Sequence, residues 1–229
     1  MKTKICGLKS LREIEIVNKY SPDYAGFVFA GEKRKINEEI ALSLRRELSR
    51  EIQAVGVFVN ESIETIAKMC EKNIIQLVQL HGDEDRDYLK ALKLQIGVPV
   101  IKAVRVQSAE QIIDALTLPC DYFLYDTYSA YSYGGEGKRF DETVLTEVYK
   151  EGLDDGKEEL GGGKEEPDYR REGLQKPYFI AGGLTAQNIS LFDNRLKPFG
   201  LDVSSGVESM GEKDEKKVKE FLLAASKVF

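Results

Sequence analysis

A single carboxylate, Asp126, stands at the end of the apolar run Tyr122–Tyr125 and is followed by a loop that contains the sequence YGGEG. A carboxyl group partly removed from water has a raised pKa, so part of it stays protonated and can donate a proton. A helix cap or a loop hydrogen bond is the alternative interpretation, but no helix is predicted to start directly after Asp126. The pattern therefore favours an acid beneath a glycine-rich loop that excludes water.

Cys6 ends a second apolar run and is followed by Gly7, which favours exposure of its thiol. A thiol can act as a base when nearby donors or cations bring its pKa towards neutrality. Most free cysteines are instead small buried hydrophobic residues, and position alone leaves both interpretations open. Cys70 lies in an amphipathic pattern and is expected to be packed, while Cys120 precedes a predicted strand and is assigned no role.

Short β-type runs alternate with amphipathic patterns along most of the chain. The predicted strands are Lys2–Cys6, Tyr24–Phe29, Gln53–Val59, Ile75–Leu80, Val98–Val104, Tyr122–Tyr125, Tyr178–Ala181 and Leu201–Val203. Strands interleaved with helices predict parallel pairing through right-handed crossovers, and eight such units close a (β/α)8 barrel. The runs are apolar on both faces, as a doubly covered parallel sheet requires. We therefore predict an α/β fold in which residues 1–229 form one (β/α)8 TIM barrel domain.

Amphipathic patterns predict helices between these strands. The predicted helices are Leu11–Asn18, Asn37–Ser49, Ser62–Lys72, Asp85–Leu94, Ser108–Leu116, Asp141–Tyr149, Thr185–Leu196 and Lys213–Ala225. Asn37, Ser62 and Thr185 are predicted N-caps, because their side chains can accept hydrogen bonds from the first helical turn. Residues 150–176 are rich in charge and glycine and predict a solvated insertion before the seventh strand. An inter-domain linker is disfavoured, because too little chain follows it for a second domain.

The amino-acid composition limits which kinds of partner the protein is expected to bind and in which cellular compartment it is expected. The net charge of -6 argues against nucleic acid as the main partner, since the phosphate backbone attracts basic surfaces. No segment has the pattern of a signal peptide or the length of a membrane span, so no membrane association is expected. Three widely spaced cysteines without a CxxC motif suggest neither a disulfide framework nor a zinc site, and they predict a cytoplasmic location.

In a (β/α)8 barrel the chemistry lies at the C-terminal ends of the strands and in the loops that follow. Polar candidates at these ends, in chain order, are Cys6, Arg34, Gln79, His81, Lys102, Arg105 and Asp126. The last two strands lead into Gly182 and Gly183 of AGGLT and into Ser204, Ser205 and Gly206 of DVSSGV. Backbone amides and hydroxyls in these two loops form the usual barrel phosphate site, so we predict phosphate binding here. Two tight turns are the alternative.

The motifs KICGL, GFVF, VGVFVN, VQLHG, YDT, YGGEGKRFD, AGGLTAQNI and DVSSGVE together resemble phosphoribosylanthranilate isomerase, the isomerase of tryptophan biosynthesis. The resemblance covers almost the whole chain in the right order, except residues 150–176. It implies an Amadori rearrangement of N-(5-phosphoribosyl)anthranilate to 1-(2-carboxyphenylamino)-1-deoxyribulose 5-phosphate, with no metal and no cofactor. It also implies that Asp126 is the general acid and Cys6 the general base, in agreement with the chemistry of the two side chains.

The resemblance extends to residues that would bind the substrate. Arg34 matches an arginine that holds the anthranilate end, where a guanidinium can pair with a carboxylate. The local sequence departs from the family pattern, so Lys33 or Lys35 could take that position instead. His81, the only histidine, is expected to line the site or to fix a loop, and Asp202 to orient neighbouring groups or the substrate amine.

Two other functions stay open from the sequence. One is a related barrel enzyme that acts on a different sugar phosphate, which would need a second acid in place of Cys6 or a lysine and glutamate set. The other is a phosphate-binding scaffold without catalysis that uses the acidic segment 150–176, which the presence of both Cys6 and Asp126 disfavours. The isomerase interpretation implies a small phosphorylated substrate and a monomer or homodimer.

Overall fold

Eight parallel strands form a closed barrel in chain order, with β8 paired to β1. The structure is a computed structural model that describes residues 1–127, 142–154, 169–191 and 196–228. The strands are β1 Lys2–Cys6, β2 Tyr24–Val28, β3 Gln53–Phe58, β4 Leu77–Leu80, β5 Val100–Val106, β6 Tyr122–Thr127, β7 Tyr178–Ile180 and β8 Gly200–Val203. The prediction of a (β/α)8 barrel is therefore confirmed.

Helices cover the outside of the barrel. They are α1 Leu11–Tyr20, α2 Glu38–Glu47, α3 Ile63–Glu71, α4 Arg86–Gln95, α5 Ala109–Ala115, α6 Glu142–Asp154, α7 Tyr169–Gln175 and α8 Glu215–Ala225. The predicted caps Asn37 and Ser62 are confirmed, since each side chain accepts a hydrogen bond from a backbone N–H of the first turn. No helix in the described ranges combines the length and the apolar composition that crossing a membrane requires.

The predicted helix Thr185–Leu196 is wrong over its described part. Only residues Ile189–Leu191 form a helical turn, of the tighter 3₁₀ type, and residues 192–195 lie outside the described ranges. Asn188 accepts a hydrogen bond from the Thr185 N–H and donates one to the Gly183 carbonyl. These side-chain bonds close a local turn where helix capping was predicted, because asparagine competes well for nearby backbone groups.

The segment after β6 also differs from the prediction. α6 continues to Asp154 and α7 occupies Tyr169–Gln175, so the loop predicted over residues 150–176 is helical at both ends. Residues 155–168 lie outside the described ranges. Gly173 belongs to the glycine content that predicts a loop over residues 150–176, but a Cβ added to it would lie 2.3 Å from the Leu116 carbonyl oxygen. Glycine therefore lets α7 pack closely against the end of α5.

Alternate residues of each strand face the barrel interior. The interior cluster consists of Tyr24, Val55, Leu77, Ile101, Ala103, Leu124, Phe179 and Ala181. Polar residues follow at the next inward position on some of the same strands: Gln79 two residues after Leu77, and Asp126 two residues after Leu124. An apolar floor therefore lies beneath a polar layer at the carboxyl end of the barrel.

A short hairpin, absent from the prediction, follows β8. Its strands are β9 Glu208–Ser209 and β10 Glu212–Lys213, which pair antiparallel. The turn residues Met210 and Gly211 both have positive φ, as tight hairpin turns demand. The hairpin matters for the site because it brings the side chains of Glu208 and Lys213 to the barrel mouth.

Candidate active site

Cys6 lies at the carboxyl end of β1, inside the barrel mouth, and is 8% exposed. Its sulfur rests against Gly26 of β2, where an added Cβ would lie 2.7 Å from Sγ, so only glycine leaves room for the thiol. The Cys6 carbonyl accepts a hydrogen bond of 3.0 Å from the Ser204 hydroxyl. Burial raises the pKa of the Cys6 thiol, and the nearby Lys4 ammonium opposes that effect.

A buried ion pair lies directly beneath Cys6. Lys4 is two residues earlier on the same face of β1, and its Nζ lies 2.9 Å from Oδ2 of Asp202 on β8. The register of β1 and β8 places these two residues side by side. Burial alone would lower the pKa of Lys4, but Asp202 and Cys6 together raise it above its ordinary value. Lys4 therefore stays protonated in the interior.

Arg34 enters the mouth from the segment after β2. Its Nε and Nη2 each donate a hydrogen bond of 2.7 Å to the carboxylate of Glu208. The arginine side chain crosses Gly7, where an added Cβ would lie 2.3 Å from Arg34 Cδ. Lys33 and Lys35 are exposed, whereas the Arg34 side chain is largely buried at the mouth.

Glu208 also accepts a hydrogen bond of 2.6 Å from the Nζ of Lys213. Burial would raise the pKa of Glu208, but the hydrogen bonds from Arg34 and the charge of Lys213 lower it to about 2. Burial lowers the pKa of Lys213, with Glu208 acting against that effect. One carboxylate thus joins two cations at the edge of the site.

Asp126 lies on the inner face of β6 near its end and is 6% exposed. The Nε2 of His81 is 3.4 Å from its Oδ2, longer than a well-formed hydrogen bond. The Gln79 amide nitrogen lies 3.1 Å from His81 Nδ1. With that amide donating, Nδ1 accepts and the neutral ring carries its proton on Nε2, which points towards Asp126.

The two glycine- and serine-rich loops meet above β7 and β8. Gly182 and Gly183 both have positive φ, a conformation that glycine adopts without strain. At Gly206, an added Cβ would lie 1.8 Å from the Leu184 carbonyl oxygen, so the two loops are in direct contact. Residues Ser205–Val207 form a 3₁₀ turn. The two motifs therefore lie in contact and form one surface, and phosphate binding there stays a prediction.

Comparison with known proteins decides the family. Residues 3–224 match the family model described as N-(5'-phosphoribosyl)anthranilate (PRA) isomerase. The chain belongs to this family. The N-(5'-phosphoribosyl)anthranilate isomerase of Lachnoclostridium phytofermentans is 75% identical over 225 residues, covering 98% of this chain and 97% of the relative. This chain is therefore an isomerase of tryptophan biosynthesis that catalyses the Amadori rearrangement, as its motifs predicted.

Solved structures of the same family share the fold. The phosphoribosyl anthranilate isomerase of Thermotoga maritima superposes with a TM-score of 0.80 at 28% identity, covering 99% of both chains. A second structure, with a TM-score of 0.77 at 28% identity and the same coverage, contains reduced 1-(o-carboxyphenylamino)-1-deoxyribulose 5-phosphate. That family member therefore binds a small phosphorylated ligand.

Not every polar strand end contributes to the mouth of the isomerase. Lys102 faces outward from β5, and its Nζ lies 2.8 Å from Glu84 and 2.7 Å from the Gly82 carbonyl. Arg105, by contrast, shares the inner face of β5 with Ile101 and Ala103, pairs with Asp126 in the register of β5 and β6, and donates a hydrogen bond of 2.6 Å to Asp83. Sequence reasoning named Lys102 without assigning it a role, and its outward position agrees with that.

Three residues at the mouth escaped the sequence analysis: Lys4, Glu208 and Lys213. The sequence could have identified Lys4, because a residue two positions before Cys6 on a strand lies on the same face as Cys6. No sequence pattern points to Glu208 and Lys213, because strands as short as β9 and β10 carry no periodic pattern.

Proposed function

We propose that Cys6 and Asp126 carry out the two proton transfers of the rearrangement, Asp126 as general acid and Cys6 as general base. The observation that carries the proposal is the placement of one buried thiol and one buried carboxyl group on the inner face of the same barrel mouth. Their strands, β1 and β6, are separated by β7 and β8. A ribose ring between them would present opposite sides to the acid and the base, as the reaction requires.

Asp126 acts first. Its carboxyl group donates a proton to the furanose ring oxygen, the bond between that oxygen and C1 breaks, and the anilino nitrogen lone pair forms an iminium bond to C1. His81 supports this step, because its Nε2 faces the Asp126 carboxyl group and limits the directions in which that group can point. Gln79 in turn orients the imidazole through Nδ1.

Cys6 acts second. Its thiolate removes the proton from C2, and the electron pair of that C–H bond becomes the C1–C2 double bond while the iminium electrons return to nitrogen. The resulting enolamine tautomerises to the aminoketose. The iminium cation lies next to the sulfur at this stage, and a neighbouring positive charge favours the thiolate form.

Arg34 and Asp202 hold the two neighbouring substituents of the anthranilate ring, its carboxylate and its amino nitrogen. Nε and Nη2 of Arg34 are engaged by Glu208, which leaves Nη1 without a partner among the described residues and free to pair with the anthranilate carboxylate. Oδ1 of Asp202 is buried and has no hydrogen-bond partner in the described part of the chain. We assign it to accept the hydrogen bond of the substrate N–H, because a buried acceptor without a partner is costly.

The phosphate binds where the loops after β7 and β8 meet. Gly182 and Gly183 let the backbone approach the anion closely, and Ser204, Ser205 and Gly206 contribute hydroxyl and amide donors. Contact between the loops at Gly206 fixes their separation. Anchoring the phosphate here would place the ribose over Cys6, because the Ser204 hydroxyl bonds the Cys6 carbonyl.

Location and assembly form the remaining part of the proposal. All three cysteines are free, with Cys6 and Cys120 buried, which suits a reducing cytoplasm. The protein is expected to act as a monomer or a homodimer, because the isomerase of Thermotoga maritima is described as dimeric and has also been solved as generated monomers. Light scattering during gel filtration distinguishes the two states.

Turnover measurements test the two catalytic roles. The fluorescent anthranilate adduct is made in situ, and its loss is followed after enzyme is added. Cys6→Ser and Asp126→Asn should each lower kcat about 100- to 10,000-fold, the usual contribution of a positioned acid or base. Cys70→Ala and Asp114→Asn are matched controls outside the barrel mouth. Full turnover by Cys6→Ser or Asp126→Asn would refute the corresponding role.

A further inference from the structure

Lys4 is the most deeply buried charged residue at the barrel mouth, with no exposed surface. It occupies the inner face of β1, two residues before Cys6, so both side chains point into the barrel. An ammonium group is rarely buried this completely without a specific partner, because removing it from water is costly. Asp202 supplies that partner at 2.9 Å, and the Cys6 thiol lies two residues further along the same face of β1.

The charged groups that face Cys6 come from four elements. Lys4 lies on its own strand, Asp202 on β8, Lys213 on β10, and Arg34 in the segment after β2. Arg34 and Lys213 share the Glu208 carboxylate, which neutralises much of their charge. Lys4 lies two residues before Cys6 on the same face of β1, and its charge opposes the rise that burial causes in the pKa of the thiol.

We propose that Lys4 is a positioning residue for the rearrangement, in which Asp202 fixes its ammonium group against the Cys6 sulfur so that the thiolate is stabilised in the barrel interior. The inference rests on the proposed role of Cys6 as base and adds the group that makes this base available. A buried thiol without a nearby cation stays protonated and cannot remove the C2 proton.

The ion pair suits this task better than a lone lysine would. A lone buried lysine tends to lose its proton to water, because burial disfavours the charged form. Asp202 keeps Lys4 charged, yet it engages only one of the three ammonium donors, so the group can also donate to sulfur. Lys4 thus provides a fixed positive charge beside Cys6 before substrate arrives.

The pH dependence of Cys6 alkylation tests the inference directly. Wild-type protein and Lys4→Met are treated with iodoacetamide across a pH series, and modification of each cysteine is quantified by peptide mass spectrometry. Lys4→Met should alkylate Cys6 about 10- to 100-fold more slowly at pH 7.5 and recover at higher pH, since an adjacent opposite charge typically moves a pKa by one to two units. Its kcat should fall in parallel and rise again with pH.

Lys102→Met is the matched control, because Lys102 is also buried and paired with a carboxylate but lies on the outer side of β5. It should leave the alkylation curve of Cys6 unchanged. Should Lys4→Met not fold, the double variant Lys4→Met with Asp202→Asn removes both charges and avoids an unpaired buried carboxylate. Its curve should still move to higher pH, because the double variant also lacks the ammonium group that opposes the effect of burial on the pKa of the Cys6 thiol.

The outcomes separate this inference from the proposed function. A Cys6 alkylation curve in the Lys4 variants identical to that of the wild type would overturn the role of Lys4, whatever Cys6 does in turnover. Full activity in Cys6→Ser would instead overturn the role of Cys6 as base, even if Lys4 still controlled the ionisation of its thiol.

Discussion

Arg34 and Glu208 are joined by two parallel hydrogen bonds of 2.7 Å, from Nε and Nη2 of the guanidinium to the two carboxylate oxygens. Both side chains are largely buried, with 16% and 11% of their surfaces exposed. This bidentate geometry fixes the plane of the guanidinium as well as its position. The hairpin after β8 therefore aims an arginine that comes from the segment after β2.

Glu208→Gln should weaken substrate binding more than it slows chemistry. The amide can accept only one of the two arginine hydrogen bonds, so Arg34 loses its fixed orientation towards the anthranilate carboxylate. We expect KM to rise about 10-fold or more while kcat changes by less than about threefold, as removal of a uniform binding interaction does. Steady-state fluorescence assays measure both constants.

Two variants calibrate that result. Arg34→Lys should raise KM in the same way, because an ammonium group cannot pair with two carboxylates in a fixed plane. Lys33→Ala should leave KM unchanged, because Lys33 is exposed beside Arg34. If Glu208→Gln lowered kcat with KM unaffected, Glu208 would not act through substrate binding.

Glu208 should also make stability depend on pH in the acid range. Its pKa falls from an ordinary 4.5 to about 2 in the folded protein. A lowered carboxyl pKa contributes stability that is fully present above pH 4.5 and is lost as the pH falls through about 2. This contribution is about 3 kcal/mol in full, of which about 2 kcal/mol is lost by pH 3.

Urea unfolding at pH 7 and pH 3 measures this contribution. The wild type should exceed Glu208→Gln in unfolding free energy at pH 7, and the gap should shrink by about 2 kcal/mol at pH 3. Glu220→Gln is the control, because Glu220 forms only a loose surface pair with Lys216 at 3.9 Å. It should change stability by less than about 0.5 kcal/mol at either pH. If the difference in unfolding free energy between the wild type and Glu208→Gln were the same at both pH values, the pairing of Glu208 with Arg34 and Lys213 would be contradicted.

Two substitutions of His81 distinguish the roles of its two ring nitrogens. His81→Gln keeps a donor near the position of Nε2, facing Asp126, whereas His81→Asn keeps one only near Nδ1, facing Gln79. Because Nε2 orients the proposed acid, we expect His81→Asn to lower kcat about 10- to 100-fold and His81→Gln to retain most of it. Single-turnover kinetics measure the effect on the chemical step. Equal losses in both variants would show that the imidazole ring is needed as such.

Much of the barrel could be predicted from the sequence, because the local patterns of strands and helices agree with the fold that they form. The start of β1 and its end at Cys6 were predicted correctly, since the apolar run stops at a glycine. β6 runs two residues past its prediction, to Thr127, because the register with β5 pairs Asp126 with Arg105. Asp126 thus lies within the strand that was predicted to end just before it, and its inward direction follows from alternation along β6.

The supporting contacts could not be predicted, because they join residues far apart in sequence. Lys4 and Asp202 meet only when β8 closes on β1, and Arg34 meets Glu208 only through a hairpin of two-residue strands. α7 was missed for a different reason, since Gly173 marks close helix packing there, where sequence statistics associate glycine with loops. Motifs identified the candidate acid and base, whereas the groups that orient them required the closed barrel.

Gly206→Ala should damage phosphate binding selectively. The new methyl group would lie 1.8 Å from the Leu184 carbonyl oxygen, so the loops after β7 and β8 must move apart. We expect KM for the substrate and the inhibition constant for inorganic phosphate to rise together by about 10-fold, with a stability loss of about 1–3 kcal/mol from overpacking. Gly97→Ala is the control, because an added Cβ there meets nothing within 4 Å. A rise in KM without weaker phosphate inhibition would place the phosphate elsewhere.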